Sequence, residues 1–217
     1  MLLDCAHHSR RLPFDWPNPT VWARACKTAL SGLKRGDRAL AAVEQAIIVL
    51  EDDPCLNAGF GSNLTVNGSV ECDAAVMDGS TGDFGSVGAV SGVKNPIAAA
   101  CAVLEHGRSR DILGRIPPLM LVSQGAREFA ERRDVTCVPA EALISERSRQ
   151  DWDRWKSRLD AAQSQSAPAT STLDSSGLHD IQDTVGAVAL DTTSSLAAGV
   201  SRQVRPPFCS AYSPPMR

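Results

Sequence analysis

Apolar residues recur every three or four positions along the first part of the chain, which is the period of an α-helix. This pattern predicts one helix over 18–35, ended by Gly36, and a second over 37–53, with Asp37 as its N-cap. The second helix carries its apolar residues on one stripe, at positions 40, 43, 47 and 50. We therefore expect two helices that face a common core.

The period changes to that of strands between residues 54 and 92. Asn67-Gly68 lies between two apolar runs within 64–79, and this dipeptide is a signal for a β-hairpin. The small, apolar residues of 84–93 predict a strand that is tightly packed on both faces. We therefore expect a sheet that begins in this part of the chain.

Helices and strands alternate after residue 94. The residues 95–107 predict a helix capped by Asn95, and 116–133 predict a short strand followed by a helix. A polar helix is predicted in 139–160. This order of elements favours a layered α/β domain, and 18–160 is its first and larger part.

The end of the chain divides into a linker, a pair of strands and a tail. The residues 161–183 are rich in Ser, Ala and Thr and predict a flexible linker. The chain resumes over 184–201 as two strands around a turn near 191–195. The four prolines of 202–217 predict an unstructured tail.

Composition excludes several classes of protein. The 217 residues are 43% apolar and 22% charged, as in a single globular domain, and the net charge of −3 indicates neither a nucleic-acid binder nor a membrane-surface binder. Apolar runs fall far short of the roughly 20 residues of a membrane span, and the first residues lack the layout of a secretion signal. Seven scattered cysteines without a CxxC pair favour a reducing compartment, cytoplasmic or nuclear.

The step from Asp183 to Thr184 raises a chemical question. A hydroxyl becomes a useful nucleophile when a base removes its proton, and a free α-amine, with a pKa of about 7.7–8.0, can be that base. Inside a chain the same nitrogen is an amide, so Thr184 acquires a base only if the bond after Asp183 is cut. The alternative is that a linker ends there and Thr184 is an ordinary first residue of a strand.

Four segments resemble, in order, the motifs of the type-2 asparaginase family of N-terminal nucleophile hydrolases, and the resemblance covers residues 20–200. These segments are NAGFGSN (57–63), ECDAAVMDG (71–79), GAVSGVKNPI (88–97) and DTVGAVALD (183–191). The resemblance implies an α/β fold of the αββα sandwich type. The segment 114–126 and the aspartate before Thr184 resemble the threonine aspartase (taspase) branch, whose members are endopeptidases that cut after aspartate.

The resemblance implies a role for five residues. Thr184 would be the nucleophile, and the carbonyl of Asp183 would be attacked during self-cleavage. Asn57 would donate its amide N–H to the oxyanion of that step, whereas without the resemblance a cap of a turn is the favoured interpretation of this residue. Gly59 and Gly61 would let the backbone of the loop approach closely.

The resemblance also implies ligands and partners. It implies no organic cofactor and no metal-ligating side chain. In some relatives the carbonyls of the segment that matches 50–57 bind sodium, so a structural monovalent cation is the one ion it allows. The expected substrate is a peptide or protein containing Asp, and the expected assembly is a homodimer, or an α/β heterodimer after cleavage. No nucleic acid or membrane is expected as a partner.

Two departures from the family pattern affect the expected activity. The family's first core strand and its glycine loop are not found before residue 18, and Arg202 stands where the family has a hydroxyl that contacts the nucleophile. We therefore expect a sandwich that is incomplete at both ends, as in an alternative gene product. Three functions stay open: a threonine endopeptidase precursor, an L-asparaginase/isoaspartyl aminopeptidase, and a non-catalytic fragment that acts only as an interaction partner.

Overall fold

A computed structural model describes residues 20–109, 113–164 and 184–203, which form a mixed α/β fold. The helices are α1 (Thr20–Arg35), α2 (Ala39–Glu51), α3 (Pro96–Arg108), α4 (Ser123–Arg132) and α5 (Glu146–Ser164). The strands are β1 (Cys72–Asp78), β2 (Phe84–Val90), β3 (Met120–Val122), β4 (Val185–Leu190) and β5 (Leu196–Gln203). Two short 3₁₀ helices, Gly59–Gly61 and Ala140–Leu143, interrupt the loops.

The five strands form one sheet in the order β3-β2-β1-β5-β4. Its pairs are antiparallel, except that β2 and β3 run parallel. β5 therefore lies between β1 and β4, although more than 100 residues separate β1 from β5 along the chain. This arrangement places β4, the strand that follows Thr184, at one edge of the sheet.

The helices α2 and α3 pack on one side of this sheet, with the core between, and α1 packs against α2. Side chains alternate along β1, β4 and β5, with every second residue buried against the helices. On the other face large apolar side chains are exposed, among them Met77, Leu196 and Val200. The described residues thus form one helical layer and one sheet, and the second sheet of the expected sandwich is not among them.

Most helices and strands agree with the sequence prediction. The N-cap of α3 is Asn95, as predicted, whereas the N-cap of α2 is Arg38 and not Asp37. Neither Asp37 nor Asn95 caps its helix with its side chain. Instead Asp191 Oδ2 accepts the N–H of Ala39, 3.1 Å away. Glu51 Oε1 accepts the N–H of Ile97 at 3.0 Å. Carboxyl groups from distant segments thus make the side-chain hydrogen bonds to the first turns of α2 and α3, because packing brings them there.

The predicted hairpin at Asn67-Gly68 is wrong in its pairing. These residues do form a tight turn, in which Gly68 has φ +77° and donates its N–H to the carbonyl of Thr65 at 2.9 Å. No strand precedes that turn, however, and β1 pairs with β2 across the next turn of the chain. The carbonyl of Thr65 accepts a hydrogen bond from the indole of Trp152 on α5, so this segment packs under a helix.

Two boundaries differ from the sequence prediction. The helix α5 continues to Ser164, past the start of the predicted linker, and β5 includes Arg202 and Gln203 of the predicted tail. These two residues are in a strand because Asp73 and Cys72 of β1 pair with them. Asp183 and the remainder of the linker, the residues after 203 and those before 20 lie outside the described residues.

Gly199 lies where β5 packs closely against α2. A Cβ at this position would lie 2.8 Å from Val43 Cγ1 and 3.0 Å from Ile47 Cδ1 of α2. We expect Gly199→Ala to lower the free energy of unfolding by about 1–3 kcal/mol in urea titrations, because a tightly packed core has no room for the methyl group.

Two further variants separate this clash from a general effect of alanine. Adding Val43→Ala to Gly199→Ala should cost less than the sum of the two changes, because the closest clash is removed. Gly125 of α4 has no atom within 4 Å of a built Cβ. Gly125→Ala should therefore raise the free energy of unfolding by about 0.5–1 kcal/mol. Equal losses at 199 and 125 would contradict the packing described here.

Candidate functional site

Thr184 is exposed and directly precedes β4. Its neighbour Val185 is completely buried and pairs with Ser201 of β5. Because side chains alternate along a strand, Thr184 lies on the opposite face of the sheet, the one that the described helices leave uncovered. One further step of the same antiparallel register places Thr184 opposite Arg202.

Asn57 lies at the same end of β5. Its main-chain carbonyl accepts the N–H of Gln203 at 3.1 Å, which ties the Asn57 loop to the last residue of the strand. Its side-chain Oδ1 accepts the N–H of Asn63 at 3.0 Å and thereby closes the loop. The Asn57 amide is largely buried, and no described residue accepts a hydrogen bond from its Nδ2. The structure therefore brings Asn57 and Thr184 to one end of one strand, with the turn-closing role of Asn57 visible in its contacts.

Gly59 and Gly61 are pressed against protein backbone. Gly59 has φ +56°, and a Cβ there would lie 2.5 Å from the carbonyl oxygen of Glu51. A Cβ on Gly61 would overlap the carbonyl of Leu56. Both positions require glycine for the close packing of the loop onto the end of α2.

The helix α5 holds this loop from its other side. Arg147 Nη2 donates to the carbonyl of Gly61 at 2.6 Å, and its Nε donates to the carbonyl of Pro54 at 3.3 Å. Ser148 Oγ donates to the same Gly61 carbonyl at 3.3 Å. The loop that carries Asn57 is thus fixed between α2 and α5.

Beneath the end of β5 lies a buried group of polar side chains. Glu51, Ser201 and Gln203 are 0%, 0% and 1% exposed. Glu51 Oε2, Ser201 Oγ and both amide atoms of Gln203 have no hydrogen-bond partner among the described residues. Burial raises the pKa of Glu51 to about 8, and the nearby Ser201 hydroxyl partly offsets this rise although it does not reach hydrogen-bonding geometry. Glu51 is consequently protonated, and neutral, in the folded protein at neutral pH.

Our sequence reasoning missed Glu51, although its position carried a signal. Glu51 follows Ile47 by four residues and Leu50 by one, so it extends the apolar stripe of α2 with a carboxyl group. Acidic residues are almost never completely buried without a partner. An acidic residue on the buried face of a predicted helix therefore indicates a position where the carboxyl group has a specific partner or a raised pKa.

Cys72 and Asp73 take no chemical role in this geometry. Burial raises the pKa of the Cys72 thiol to about 12, and its sulfur lies 3.3 Å from Ser62 Oγ. A neutral, enclosed thiol is not a nucleophile. Asp73 Oδ1 accepts the N–H of Ala89 at 2.9 Å and so fixes the neighbouring strand β2.

Several carbonyls of the segment 50–57, where a monovalent cation would bind, are engaged within the protein. The carbonyls of Leu50, Asp53, Pro54 and Asn57 already accept hydrogen bonds from this protein. One of these donors is the guanidinium of Arg147, whose positive charge would repel a cation at this loop. Within 20–109, 113–164 and 184–203, moreover, no three His, Cys, Asp or Glu residues are grouped as metal ligands.

No helix in the described part of the chain is both long enough and apolar enough to cross a bilayer.

Comparison with known proteins gives a consistent result. A model of the family described as "Asparaginase" matches residues 18–203. Proteins named "Isoaspartyl peptidase/L-asparaginase" from Mus musculus and Homo sapiens are 39% and 37% identical over 179 and 178 residues. The "Plant-type L-asparaginase" of Pyrococcus abyssi is 38% identical over 176 residues.

These matches cover 80–82% of this chain but 48%, 51% and 53% of the mouse, human and archaeal relatives. The chain therefore spans about half the length of the curated relatives that it matches. The relatives bear the names of isoaspartyl peptidases and asparaginases, not of threonine aspartases.

Because the carboxyl of Glu51 is buried, we expect the stability of the protein to depend on pH. Its pKa is raised from 4.5 to about 8 on folding, so its stabilising contribution is complete below about pH 4.5 and is lost as the pH rises to about 8. Glu51→Gln keeps an acceptor for the N–H of Ile97 but cannot ionise. We expect the free energy of unfolding of the variant, measured in urea at several pH values across this range, to fall less steeply than that of the parent.

Glu141→Gln is the matched control, because Glu141 is exposed. This change should leave the slope of stability against pH as it is in the parent. A Glu51→Gln variant with the parent's slope would show that the buried carboxyl does not take up a proton on folding.

Proposed function

Because this chain belongs to the asparaginase family, we propose that it hydrolyses side-chain or isoaspartyl amide bonds of aspartyl compounds, with Thr184 as the nucleophile. The observation that supports this most is the position of Thr184, exposed at the start of β4 and at the same end of β5 as Asn57. Since the chain spans about half of its relatives, the activity of the relatives is carried here as a proposal.

Activation begins with cleavage of the chain before Thr184. The hydroxyl oxygen attacks the carbonyl carbon of Asp183, the C–N bond breaks, and the hydroxyl proton passes to the departing nitrogen. Water then hydrolyses the resulting ester, which leaves a carboxylate on Asp183 and a free α-amine and hydroxyl on Thr184. The exposed position of Thr184 supports this step, because water can reach the ester.

Turnover uses the newly formed amine as the base. The neutral amine takes the proton of the Thr184 hydroxyl, whose oxygen attacks the carbonyl carbon of the substrate amide. The proton then passes to the leaving nitrogen, which departs as ammonia or as the amine of a peptide, and water hydrolyses the ester. Asn57 Nδ2 would stabilise the oxyanion of each attack, a contribution of about 3 kcal/mol where it has been measured for such donors.

A second candidate is an endopeptidase that cuts after aspartate, as in the threonine aspartase branch. It is favoured by the identity of Asp183, because an enzyme with this preference would cut its own chain after aspartate. The resemblance of segment 114–126 to that branch supports the same candidate. Both candidates share the nucleophile and the cleavage before it, and they differ in the substrate.

The first experiment tests the cleavage. The purified 217-residue chain should yield fragments of 183 and 34 residues, since 217 − 183 = 34, and Thr184 should be the new N-terminus. Mass spectrometry and N-terminal sequencing measure this outcome. Thr184→Ala should stay intact because it lacks the hydroxyl, whereas Thr184→Ser should still be cut. A wild-type chain that stays intact would favour the non-catalytic interaction partner.

The second experiment identifies the substrate. Cleaved protein is incubated with L-asparagine, with a β-aspartyl dipeptide and with a peptide that contains an internal aspartate. We expect release of ammonia from the first or of a free amino acid from the second, and no cut in the third. Cleavage of only the third peptide would transfer the assignment to the endopeptidase candidate. Asn57→Ala should slow whichever reaction occurs by about a hundredfold if Asn57 is the oxyanion donor.

A further inference from the structure

One guanidinium joins the two arms of the loop that carries Asn57, the first arm being the residues before Asn57 and the second those after it. Arg147 of α5 donates from Nε to the carbonyl of Pro54 at 3.3 Å and from Nη2 to the carbonyl of Gly61 at 2.6 Å. Pro54 belongs to the first arm and Gly61 to the second. The planar, multiply donating side chain of Arg147 therefore closes the loop across its base.

The two arms touch at the place where Arg147 binds them. A Cβ built on Gly61 would lie 2.9 Å from the carbonyl carbon of Pro54 and 2.6 Å from the carbonyl oxygen of Asp53. Because Gly61 has no side chain to separate the arms, a carbonyl of each comes within reach of the same guanidinium. The closure of the loop thus depends on one glycine and one arginine.

The position of the second arm sets the direction of the Asn57 amide. Asn57 Oδ1 accepts the N–H of Asn63, two residues beyond Gly61, at 3.0 Å. Since Oδ1 and Nδ2 share one plane, this hydrogen bond also orients Nδ2. The main-chain carbonyl of Asn57 accepts the N–H of Gln203, which holds the residue at the end of β5. A displacement of Gly61 would therefore move Asn63 and turn the Asn57 amide.

We propose that Arg147 is a positioning residue, which holds Asn57 Nδ2 in place for the oxyanion through the carbonyls of Pro54 and Gly61. A donor stabilises developing charge most when it is oriented before the reaction, because no reorganisation is then needed. The catalytic consequence rests on the proposed function, whereas the hold of Arg147 on the Asn57 loop does not.

Other contacts of α5 separate this role from the docking of the helix. The indole of Trp152 donates to the carbonyl of Thr65 at 2.8 Å, and Ser148 Oγ donates to the second arm at 3.3 Å. Both contacts are made to the chain after Asn57, so they keep α5 attached when Arg147 is changed. Arg147 also binds the arm before Asn57, and its removal should loosen the loop while the helix stays in place.

The first experiment measures the hold on Asn57 without turnover. Hydrogen exchange is followed by NMR in the Thr184→Ala chain, which stays intact because it lacks the hydroxyl. The N–H of Asn63 reports the contact with Asn57. In this background Arg147→Gln should speed its exchange about tenfold, because local opening of the loop becomes easier. The N–H groups of β1 should exchange as in the parent, which shows that the variant is folded.

Arg154→Gln is the matched control. Arg154 belongs to the same helix and forms an ion pair with Asp151 at 3.2 Å, as Arg147 does at 3.7 Å, but its side chain is 62% exposed. The control removes one arginine and one ion pair from α5 and keeps the contacts of Arg147 with the loop. It should leave the exchange of the Asn63 N–H unchanged.

The second experiment asks whether Arg147 acts through Asn57. Chains made by cell-free synthesis are uncut at the start, and gels taken over time give the rate of cleavage before Thr184. Arg147→Gln should slow this cleavage about tenfold when Asn57 is present. In an Asn57→Ala background the same change should alter the rate by less than about twofold, since no donor is left to position. A general structural defect would slow both backgrounds equally.

The outcomes separate this proposal from the proposed function. Faster exchange of the Asn63 N–H in Arg147→Gln, and not in Arg154→Gln, supports the hold on Asn57 even if no chain is ever cut. Unchanged exchange, or equal slowing of cleavage with and without Asn57, would each overturn the proposal. If Arg147→Gln does not fold, Arg147→Lys decides, because it keeps the charge and loses the paired donors. Exchange and cleavage in that variant equal to those of the parent would also overturn it.

Discussion

The buried carboxyl of Glu51 is the contact on which the other parts of this structure depend. It stands at the last residue of α2, accepts the N–H of Ile97 in the first turn of α3, and lies next to Ser201 of β5. The backbone of the same residue packs closely against Gly59 of the Asn57 loop. The side chain of Glu51 thus lies where α2, α3, β5 and the Asn57 loop meet. It avoids the cost of a buried charge by remaining protonated.

The two faces of the sheet differ in their surroundings, because one packs on the helices and the other carries Thr184. Every second residue of β5 packs on the helices and thereby fixes the register of the strand. These residues are 197, 199, 201 and 203. The residues between them, Arg202 among them, emerge on the face that carries Thr184. Since the register of an antiparallel pair sets which side chains are neighbours, a shift of one residue would bury Thr184 and expose Val185. The position of Thr184 on one face is therefore set by the packing on the other.

Arg202, which the register of β4 and β5 places opposite Thr184, stands where the pattern of the family has a hydroxyl. A hydroxyl at that place can accept or donate a hydrogen bond to the nucleophile, whereas a guanidinium only donates and carries a permanent positive charge. The same substitution removes a contact that the family pattern provides to the nucleophile, so the cleavage of this chain is the first property to be tested.

The sequence by itself determined the α1–α2 pair, the strand-and-helix order from β1 to β5 and the family, because periodicity and short motifs are local. The tertiary structure alone decided that Asp191 caps α2 across 152 positions of the chain, that β1 pairs with β2, and that Arg202 belongs to a strand. It also decided that a stripe of apolar residues on α2 ends in a buried carboxyl. These features depend on partners far away in the sequence, and a segment carries no local record of the group that will satisfy its hydrogen bonds.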